Sequence, residues 1–263
     1  MMSVITSVSN ARVKEARSLQ RKRRRHAAGR ILIEGVRLVR DALSGGLTPE
    51  SVFYVPEQAE SGLQAAALLR DLEAAHVECV AVSAAVFASL AETLTPQGIA
   101  AVVAMPHLPL PEWPTLTLIL DGVADPGNAG TLLRSAEAAG ADLALFAPGA
   151  VDAYNDKTLR AGMGAHFRLP LRMCVVWDEV WATLSPAQRI FVAEAGADLT
   201  YDAADWRQPV ALIVGNEAAG PSAEARRAAV PVAIPMRGAS ESLNAAMAGT
   251  VILFEAARQR RLG

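Results

Sequence analysis

Residues 210–220 read VALIVGNEAAG, an apolar run that gives way to a polar loop with two glycines. Residues 230–244 repeat this arrangement as VPVAIPMRGASESLN, and an apolar stretch then runs from Leu243 to about Arg258. The two runs predict buried strands over 210–214 and 230–234, and the last stretch predicts a helix. Strand, polar loop and helix in this order are typical of ligand crevices in open α/β sheets. Ordinary connecting loops with Gly and Ser caps are the alternative.

A third stretch, residues 121–136, reads DGVADPGNAGTLLRSA and follows another apolar run, Leu116–Leu120. The run predicts a strand, and the later part of the stretch predicts a helix over residues 132–139. Taken together, the three stretches resemble the motifs of the SpoU (TrmH-like) branch of the SPOUT RNA methyltransferases. The resemblance covers roughly residues 115–260. It implies transfer of a methyl group from S-adenosyl-L-methionine to a ribose 2′-hydroxyl of RNA, a carboxy-terminal trefoil knot and a homodimer.

The order of predicted elements divides the chain into two α/β domains. Residues 1–105 alternate short strands and helices, which predicts a small α/β sandwich that begins with a helix over residues 9–26. Residues 106–114 read PHLPLPEWP and predict a stiff linker. Residues 115–263 predict a mostly parallel sheet, the SPOUT domain of the resemblance. The preceding domain resembles the substrate-binding domain of the same family.

Charge is distributed unevenly along the chain. The formal net charge is −2, but residues 1–40 hold eleven Lys or Arg and two acidic residues, so the remainder carries −11. A basic segment on an acidic body predicts a localised contact with a polyanion. A solvated helix end is the alternative. If the contact is RNA, the candidate phosphate-binding residues are Arg21, Lys22, Arg23, Arg24 and Arg25.

Composition excludes several classes of protein. With 263 residues, 52% of them hydrophobic and 20% charged, the chain is expected to form packed domains. Cys79 and Cys174 lie in strand-like runs and are expected to be buried thiols. No signal peptide or membrane-spanning run is recognisable, which predicts a cytoplasmic protein without membrane contact. The four histidines lack metal-ligand spacing, so no metal is expected, and no GxGxxG motif favours a nicotinamide site.

The resemblance assigns the cofactor to three residues. Gly215, Ile234 and Leu243 occupy the positions that contact S-adenosyl-L-methionine in the family. A glycine allows close approach of the backbone to a ligand, and the two aliphatic residues offer apolar walls to an adenine. Plain core packing is the alternative for Ile234 and Leu243.

Arg134 matches the arginine of the family's first motif. A guanidinium can bind a phosphate in bidentate fashion and so bring the adjacent 2′-hydroxyl into line. Because Arg is effectively never deprotonated in proteins, a phosphate clamp is preferred here to a general base. Without the motif, an exposed or ion-paired helix residue would be the expected reading.

Four further polar residues match the catalytic motifs: Asn128, Glu217, Ser242 and Asn244. The two asparagines can both donate and accept, which suits ribose or phosphate oxygens. Glu217 is predicted to accept a proton or to fix Arg134, and Ser242 to orient the hydroxyl. Helix capping is the alternative for Ser242 and Asn244. The chain departs from the family at Gly162, where a serine is frequent, and that position is expected to be structural.

The predicted substrate is RNA, since only RNA carries the acceptor hydroxyl. The two-domain layout favours ribosomal RNA, and transfer RNA remains possible. A competing hypothesis is a non-catalytic RNA-binding or ribosome-assembly protein with a degenerate methyltransferase domain. That hypothesis predicts loss of the polar motif residues, all of which are present.

Overall fold

A computed structural model describes residues 4–93, 96–238 and 242–262 of the chain. The chain forms two compact units. The first contains residues 1–106 together with Tyr154–Asp156, and the second contains His107–Ala153 and Lys157–Gly263. Each unit has its own sheet and its own hydrophobic core.

The first unit is built on a mixed four-stranded sheet in the order β1-β4-β2-β3. Strand β4 pairs antiparallel with β1 and β2, whereas β2 and β3 are parallel. Apolar side chains from the sheet, among them Phe53, pack with Val13 and Leu19 of the amino-terminal segment. The strands are β1 (Arg30–Glu34), β2 (Ser51–Tyr54), β3 (Glu78–Ala81) and β4 (Ile99–Ala104).

The helices described for this unit are α1 (Ala11–Ser18), α2 (Lys22–Ala28), α3 (Val36–Ser44), α4 (Pro56–Ser61), α5 (Leu63–Ala74) and α6 (Ala84–Ala88). The single helix predicted over residues 9–26 is wrong, because the chain turns between α1 and α2. Arg21 has an extended backbone there. The Arg25 guanidinium stabilises this turn, because its Nη1 donates to the carbonyls of Leu19 and Gln20 at 3.0 and 2.6 Å.

The second unit contains a six-stranded sheet in the order β10-β8-β9-β5-β6-β7. Every strand pair in it is parallel, which confirms the predicted α/β class with a mostly parallel sheet. Pro231 lies in β10, an edge strand, where a missing N–H is tolerated. The trefoil knot remains a prediction. The strands are β5 (Leu116–Leu120), β6 (Leu143–Phe146), β7 (Leu171–Met173), β8 (Arg189–Ala193), β9 (Val210–Val214) and β10 (Val230–Val232).

The helical elements described for this unit are α7 (Pro126–Ala138), α8 (Asp156–Gly162), the 3-10 turn Ala165–Phe167, α9 (Trp177–Thr183), α10 (Ala223–Ala228) and α11 (Ala245–Leu262). The predicted start of α7 at residue 132 is wrong by six residues. Asp125 caps the helix by accepting from the Asn128 N–H at 2.9 Å, and Pro126 occupies the first turn. The sequence DPGN therefore starts a helix rather than extending the loop.

Helices α7 and α11 pack directly on each other. The Ser135 and Thr250 hydroxyls are 2.7 Å apart across this contact. A Cβ on Gly249 would stand 2.5 Å from Leu132 Cδ2 and 2.9 Å from Val214 Cγ2. Only glycine therefore lets α11 approach both α7 and β9 this closely, which brings the start of α11 to the carboxyl edge of the sheet.

Candidate active site

The three motif loops leave the same edge of the parallel sheet. Strands β5 and β9 are neighbours in register, with Leu120 opposite Val214. The loops that follow them therefore start side by side, although almost a hundred residues separate them in sequence. The chain continues from β5 to β6 on one side, while β9 lies on the other. A crevice is expected at such a switch point.

Glu217 joins the first two loops. Its carboxylate accepts from the backbone N–H groups of Ala124 and Asp125 at 3.1 and 3.2 Å, and from Asn128 Nδ2 at 2.8 Å. Burial raises the pKa of the Glu217 carboxyl, but the hydrogen bonds from Asn128 and the backbone amides outweigh it and leave the pKa below its ordinary value. Glu217 is thus an ionised brace at neutral pH.

Asn244 brings the third loop to the same place. Its Nδ2 donates to Asn128 Oδ1 at 3.1 Å, while its Oδ1 accepts from the N–H groups of Ala246 and Met247 at 2.9 and 3.2 Å. Asn244 is therefore both the cap of α11 and a member of the cluster. Because it caps the helix, α11 begins two residues later than predicted. We call Asn128, Glu217 and Asn244 the motif cluster.

A cavity of about 400 Å³ lies beside this cluster, at the carboxyl ends of β8, β9 and β10. Gly215, Ile234 and Leu243 all line it, as do Ser242 and Glu217. Leu243 is 40% exposed, so its role is not core packing. Ser242 is exposed and makes no hydrogen bond with another described residue.

Gly215 fixes the shape of the cavity wall. A Cβ at this position would stand 2.4 Å from Pro221 N and 2.6 Å from Gly220 C, both backbone atoms that cannot move aside cheaply. The loop after β9 closes on itself here through paired Asn216–Gly220 backbone hydrogen bonds of 3.1 and 2.9 Å. A side chain would force this loop open.

Arg134 lies on α7, six residues after Asn128, and is exposed. It makes no hydrogen bond or ion pair with any of the described residues. It does not line the cavity and does not contact Glu217, so the predicted Glu217–Arg134 contact is absent from the described residues. The structure brings together Asn128, Glu217 and Asn244, and leaves Arg134 without a partner in them.

Two polar residues that sequence reasoning did not select support the loops. Asp121 follows β5 and is 3% exposed, and its Oδ2 accepts from the Ser222 N–H at 2.6 Å. Burial raises the pKa of Asp121 despite this hydrogen bond. Asn216 donates from Nδ2 to the Gly122 carbonyl at 2.8 Å. Their positions directly after buried strands were the available signal.

Lys157 and Asp125 form an ion pair of 3.0 Å at the start of α7. The Lys157 ammonium, followed by the Asn128 N–H, lowers the pKa of the Asp125 carboxyl. Asp125 therefore keeps its negative charge at the positive end of the helix, which stabilises the turn that carries Asn128.

Gly162 packs against a buried histidine. A Cβ on Gly162 would stand 2.7 Å from His166 Cε1, which supplies a structural reason for glycine where the family often has serine. His166 Nε2 lies 2.8 Å from the Ala153 carbonyl. Burial lowers the pKa of His166 to about 4, so it is neutral at pH 7. No group of three or more potential metal ligands occurs among the described histidines, cysteines and acidic residues.

The basic segment of the first unit divides into exposed and buried members. Arg21, Lys22, Arg23 and Arg24 are exposed, whereas Arg25 is 5% exposed and donates to backbone carbonyls. Arg25 is therefore placed to close the α1–α2 turn, and its role in binding phosphate stays a prediction. We call Arg21–Arg24 the basic patch.

Both cysteines are free thiols. Cys174 is buried and Cys79 is half-buried. Burial raises the pKa of Cys79 to about 11 and raises that of Cys174 as well, so neither is activated as a nucleophile. None of the helices within the described ranges is long and apolar enough to cross a membrane.

Comparison with known proteins matches both units to family models. Residues 115–254 match the SpoU rRNA Methylase family, and residues 10–101 match the MRM3-like substrate binding domain. The chain is 33% identical to the 23S rRNA (guanosine(2553)-2′-O)-methyltransferase RlmP of Bacillus subtilis, over 96% of this chain and 98% of that protein. It is 35% identical to the 23S rRNA (uridine(2479)-2′-O)-methyltransferase of Streptomyces viridochromogenes, covering 97% and 92%.

Solved structures show the same fold. The SpoU methyltransferase AviRb from Streptomyces viridochromogenes, in complex with AdoMet, superposes with a TM-score of 0.82 at 31% identity, covering 97% of this chain and 100% of that one. An AdoMet-bound rRNA methyltransferase from Sinorhizobium meliloti gives 0.81 at 31% identity, with 98% of both chains covered. The motifs, the parallel sheet and these matches agree, and the chain belongs to the SpoU rRNA methylase family.

Proposed function

We propose that this protein transfers a methyl group from S-adenosyl-L-methionine to a ribose 2′-hydroxyl of ribosomal RNA. The observation that carries the proposal is the hydrogen-bonded motif cluster of Asn128, Glu217 and Asn244, in which Glu217 also lines the cavity. Three loops far apart in sequence supply one polar surface beside one pocket. Family membership and the ribosomal-RNA enzymes among its relatives support the substrate.

The cavity suits the proposed donor in size and in lining. Its volume of about 400 Å³ falls within the range of small-molecule sites. Ile234 and Leu243 offer apolar contacts for an adenine, and the tightly closed loop at Gly215 presents backbone groups. The bound donor would supply an electrophilic methyl group, and the described residues supply binding and orientation.

Arg134 and the two asparagines are proposed to bind the RNA substrate. The Arg134 guanidinium is exposed and makes no hydrogen bond or ion pair with the described residues, so it is available to bind an RNA phosphate in bidentate fashion. Asn128 and Asn244 hold each other through one hydrogen bond, which leaves further polar groups for ribose or phosphate oxygens. In-line transfer depends on such orientation, because holding two reactants in place removes much of the entropic barrier.

Glu217 acts here as a positioning residue and not as a base. Both of its oxygens accept hydrogen bonds, and its lowered pKa makes it a poor proton acceptor. It holds the Asn128 side chain in one orientation and ties the loop after β9 to the first turn of α7. Ser242 is exposed and lines the cavity, and its proposed role is to orient the substrate hydroxyl.

The basic patch is proposed to hold RNA phosphates. Lys22, Arg23 and Arg24 occupy the first turn of α2, which contains no acidic residue. Cations are unfavourable at that end of a helix, so their presence favours a role in binding an anion. The match of this region to a substrate-binding domain supports the same conclusion.

A homodimer is also proposed. Met247, Phe254 and Leu262 are 55%, 48% and 76% exposed and recur at helical spacing along α11. Exposed apolar side chains in a row favour burial against a second copy of the chain. Light scattering at several concentrations measures this directly, and a monomer at all of them would refute it. The cytoplasmic location expected from the sequence remains a prediction.

The reaction is tested with labelled S-adenosyl-L-methionine and ribosomal RNA. We expect label in RNA, and loss of that label when the modified nucleotide carries a 2′-deoxy substitution. Retained label would refute the ribose assignment. Label that appears only with transfer RNA would refute the ribosomal substrate. Binding of RNA without any methyl transfer would support a non-catalytic RNA-binding protein instead.

A further inference from the structure

Glu194 lies on the cavity wall at the carboxyl end of β8 and belongs to none of the three motifs. Its N–H donates to the Val232 carbonyl at 3.0 Å, which fixes its backbone between β8 and β10. Its Oε1 accepts from Arg226 Nε on α10 at 2.8 Å. Arg226 also lines the cavity, so this ion pair forms part of the wall.

The two carboxylates of the cavity wall differ in their free bonding capacity. Both oxygens of Glu217 accept hydrogen bonds from the first motif loop. Glu194 Oε2 makes no hydrogen bond with the residues that the structure describes. Each oxygen of a carboxylate can accept hydrogen bonds, so Oε2 of Glu194 can accept from donors of a bound molecule. The side chain is 30% exposed, and a ligand in the cavity would cover it.

Resting on the proposed function, we propose that Glu194 binds the vicinal ribose hydroxyls of the donor's adenosine and so determines specificity for that ribose. A diol presents two donors to a group that only accepts. A carboxylate beyond the end of a parallel strand binds a ribose hydroxyl in other nucleotide-binding sheets. Arg226 is then a positioning residue, since it holds Oε1 and turns the carboxylate to one orientation.

The proposed donor also carries an ammonium and a sulfonium group, and either could be the partner of Glu194 instead. Binding measurements with four ligands separate these cases. The ligands are S-adenosyl-L-methionine, S-adenosyl-L-homocysteine, 5′-methylthioadenosine and 2′-deoxy-5′-methylthioadenosine. The second lacks the sulfonium charge, the third also lacks the amino acid, and the fourth also lacks one ribose hydroxyl.

The experiment is calorimetry on the full chain and on Glu194→Gln. We expect the substitution to weaken the first three ligands by a similar factor of about tenfold, the usual size for a charged hydrogen bond, and to change the fourth much less. Arg226→Lys should cause a smaller loss for the same three. Glu224→Gln is the matched control, because Glu224 also pairs with an arginine on α10 but does not line the cavity.

Three outcomes would overturn the inference. Loss confined to S-adenosyl-L-methionine would assign Glu194 to the sulfonium. Loss for the two amino-acid ligands alone would assign it to the ammonium. Unchanged binding of all four would remove Glu194 from the site. If the unsubstituted chain bound none of the ligands, the proposed function itself would fail, and the inference with it.

Discussion

The motif loops of the second unit and the basic segment of the first each contain a charged residue held by hydrogen bonds and another that is exposed. In the motif loops, the Glu217 carboxylate accepts hydrogen bonds from three donors. Arg134 is exposed and has no partner among the described residues. In the basic segment, Arg25 is buried on carbonyls, while Arg24 beside it is exposed. Membership of a motif or a charge run therefore does not decide a residue's role. The role depends instead on whether groups of the protein itself hydrogen-bond to the side chain, and we call a residue held in this way engaged.

This comparison predicts opposite effects for the two classes. Substituting an engaged residue should reduce stability, because its partners lose their hydrogen bonds. Substituting an exposed cation should leave stability within about 0.5 kcal/mol and should reduce only ligand binding or catalysis. A residue that failed this division would break the comparison.

The largest effect is expected at Arg134. Arg134→Ala should lower kcat/KM for methyl transfer by about 10²–10³-fold, the range for losing one charge contact in the transition state. Arg134→Lys should recover part of the loss, because lysine keeps the charge but cannot bind a phosphate in bidentate fashion. Single-turnover methylation and urea denaturation measure the two properties.

Arg207→Ala is the matched control for Arg134. Arg207 is also exposed, but its Nε pairs with Asp205 Oδ1 at a distance of 2.8 Å, and it does not line the cavity. We expect it to retain full activity. If Arg134→Ala destabilised the protein as much as it reduced catalysis, Arg134 would belong with the engaged residues and the comparison would be wrong.

The second effect concerns Arg25. Arg25→Ala should destabilise the α1–α2 segment by about 2–3 kcal/mol, because two carbonyls lose a charged donor. Hydrogen exchange of the amides in residues 11–28 measures this locally. Arg24→Ala should leave the same amides unchanged. Equal exchange rates in the two variants would show that Arg25 is dispensable to the turn.

Much of the second unit could be predicted from the sequence. The limits of β5 and β9 agree with the predicted strands, because a strand buried on both faces is an unbroken apolar run. The start of α7 could not be predicted in the same way. Its Pro, Gly and Asn are loop formers, and their helical state depends on Asp125 and Lys157.

The hydrogen-bond partners within the site could not be predicted from the sequence either. The motifs identified Asn128, Glu217 and Asn244, but Glu217 was expected to hold Arg134 or a proton. Its actual partners follow from the adjacency of β5 and β9, a long-range pairing that no local pattern contains. The burial of Arg25 was hidden for a related reason, since it depends on a break between two helices.

The third effect is a pH dependence caused by His166. Its folded-state pKa of about 4 lies below the unfolded value near 6.5. Between these two values the unfolded chain binds the proton and the folded chain does not. The contribution of neutral His166 to the free energy of unfolding is therefore fully present above pH 6.5 and is lost as the pH falls toward 4. The expected loss between pH 7 and pH 5 is about 2 kcal/mol.

Urea denaturation of the unsubstituted chain and of His166→Gln at both pH values tests this. The variant should be less stable at pH 7, since it replaces a fully buried ring, but its stability should change less between pH 7 and 5. Other titrating groups are common to both proteins and cancel in the difference. Parallel pH dependence in the two proteins would exclude His166 as the cause.

The smallest effect is expected in the basic patch. Arg24→Ala should weaken RNA binding only a few-fold at physiological salt, because each phosphate contact contributes little alone. The plot of log affinity against log salt should become shallower by roughly 0.7–0.9 for each contact removed. Replacing all four residues from Arg21 to Arg24 should sum these changes.

Arg12→Ala is the matched control, because Arg12 is already paired with Glu78 at 2.5 Å. This substitution should leave the slope unchanged. If the slope responded equally to Arg12 and Arg24, exposure without a partner would not mark a phosphate-binding residue in this protein.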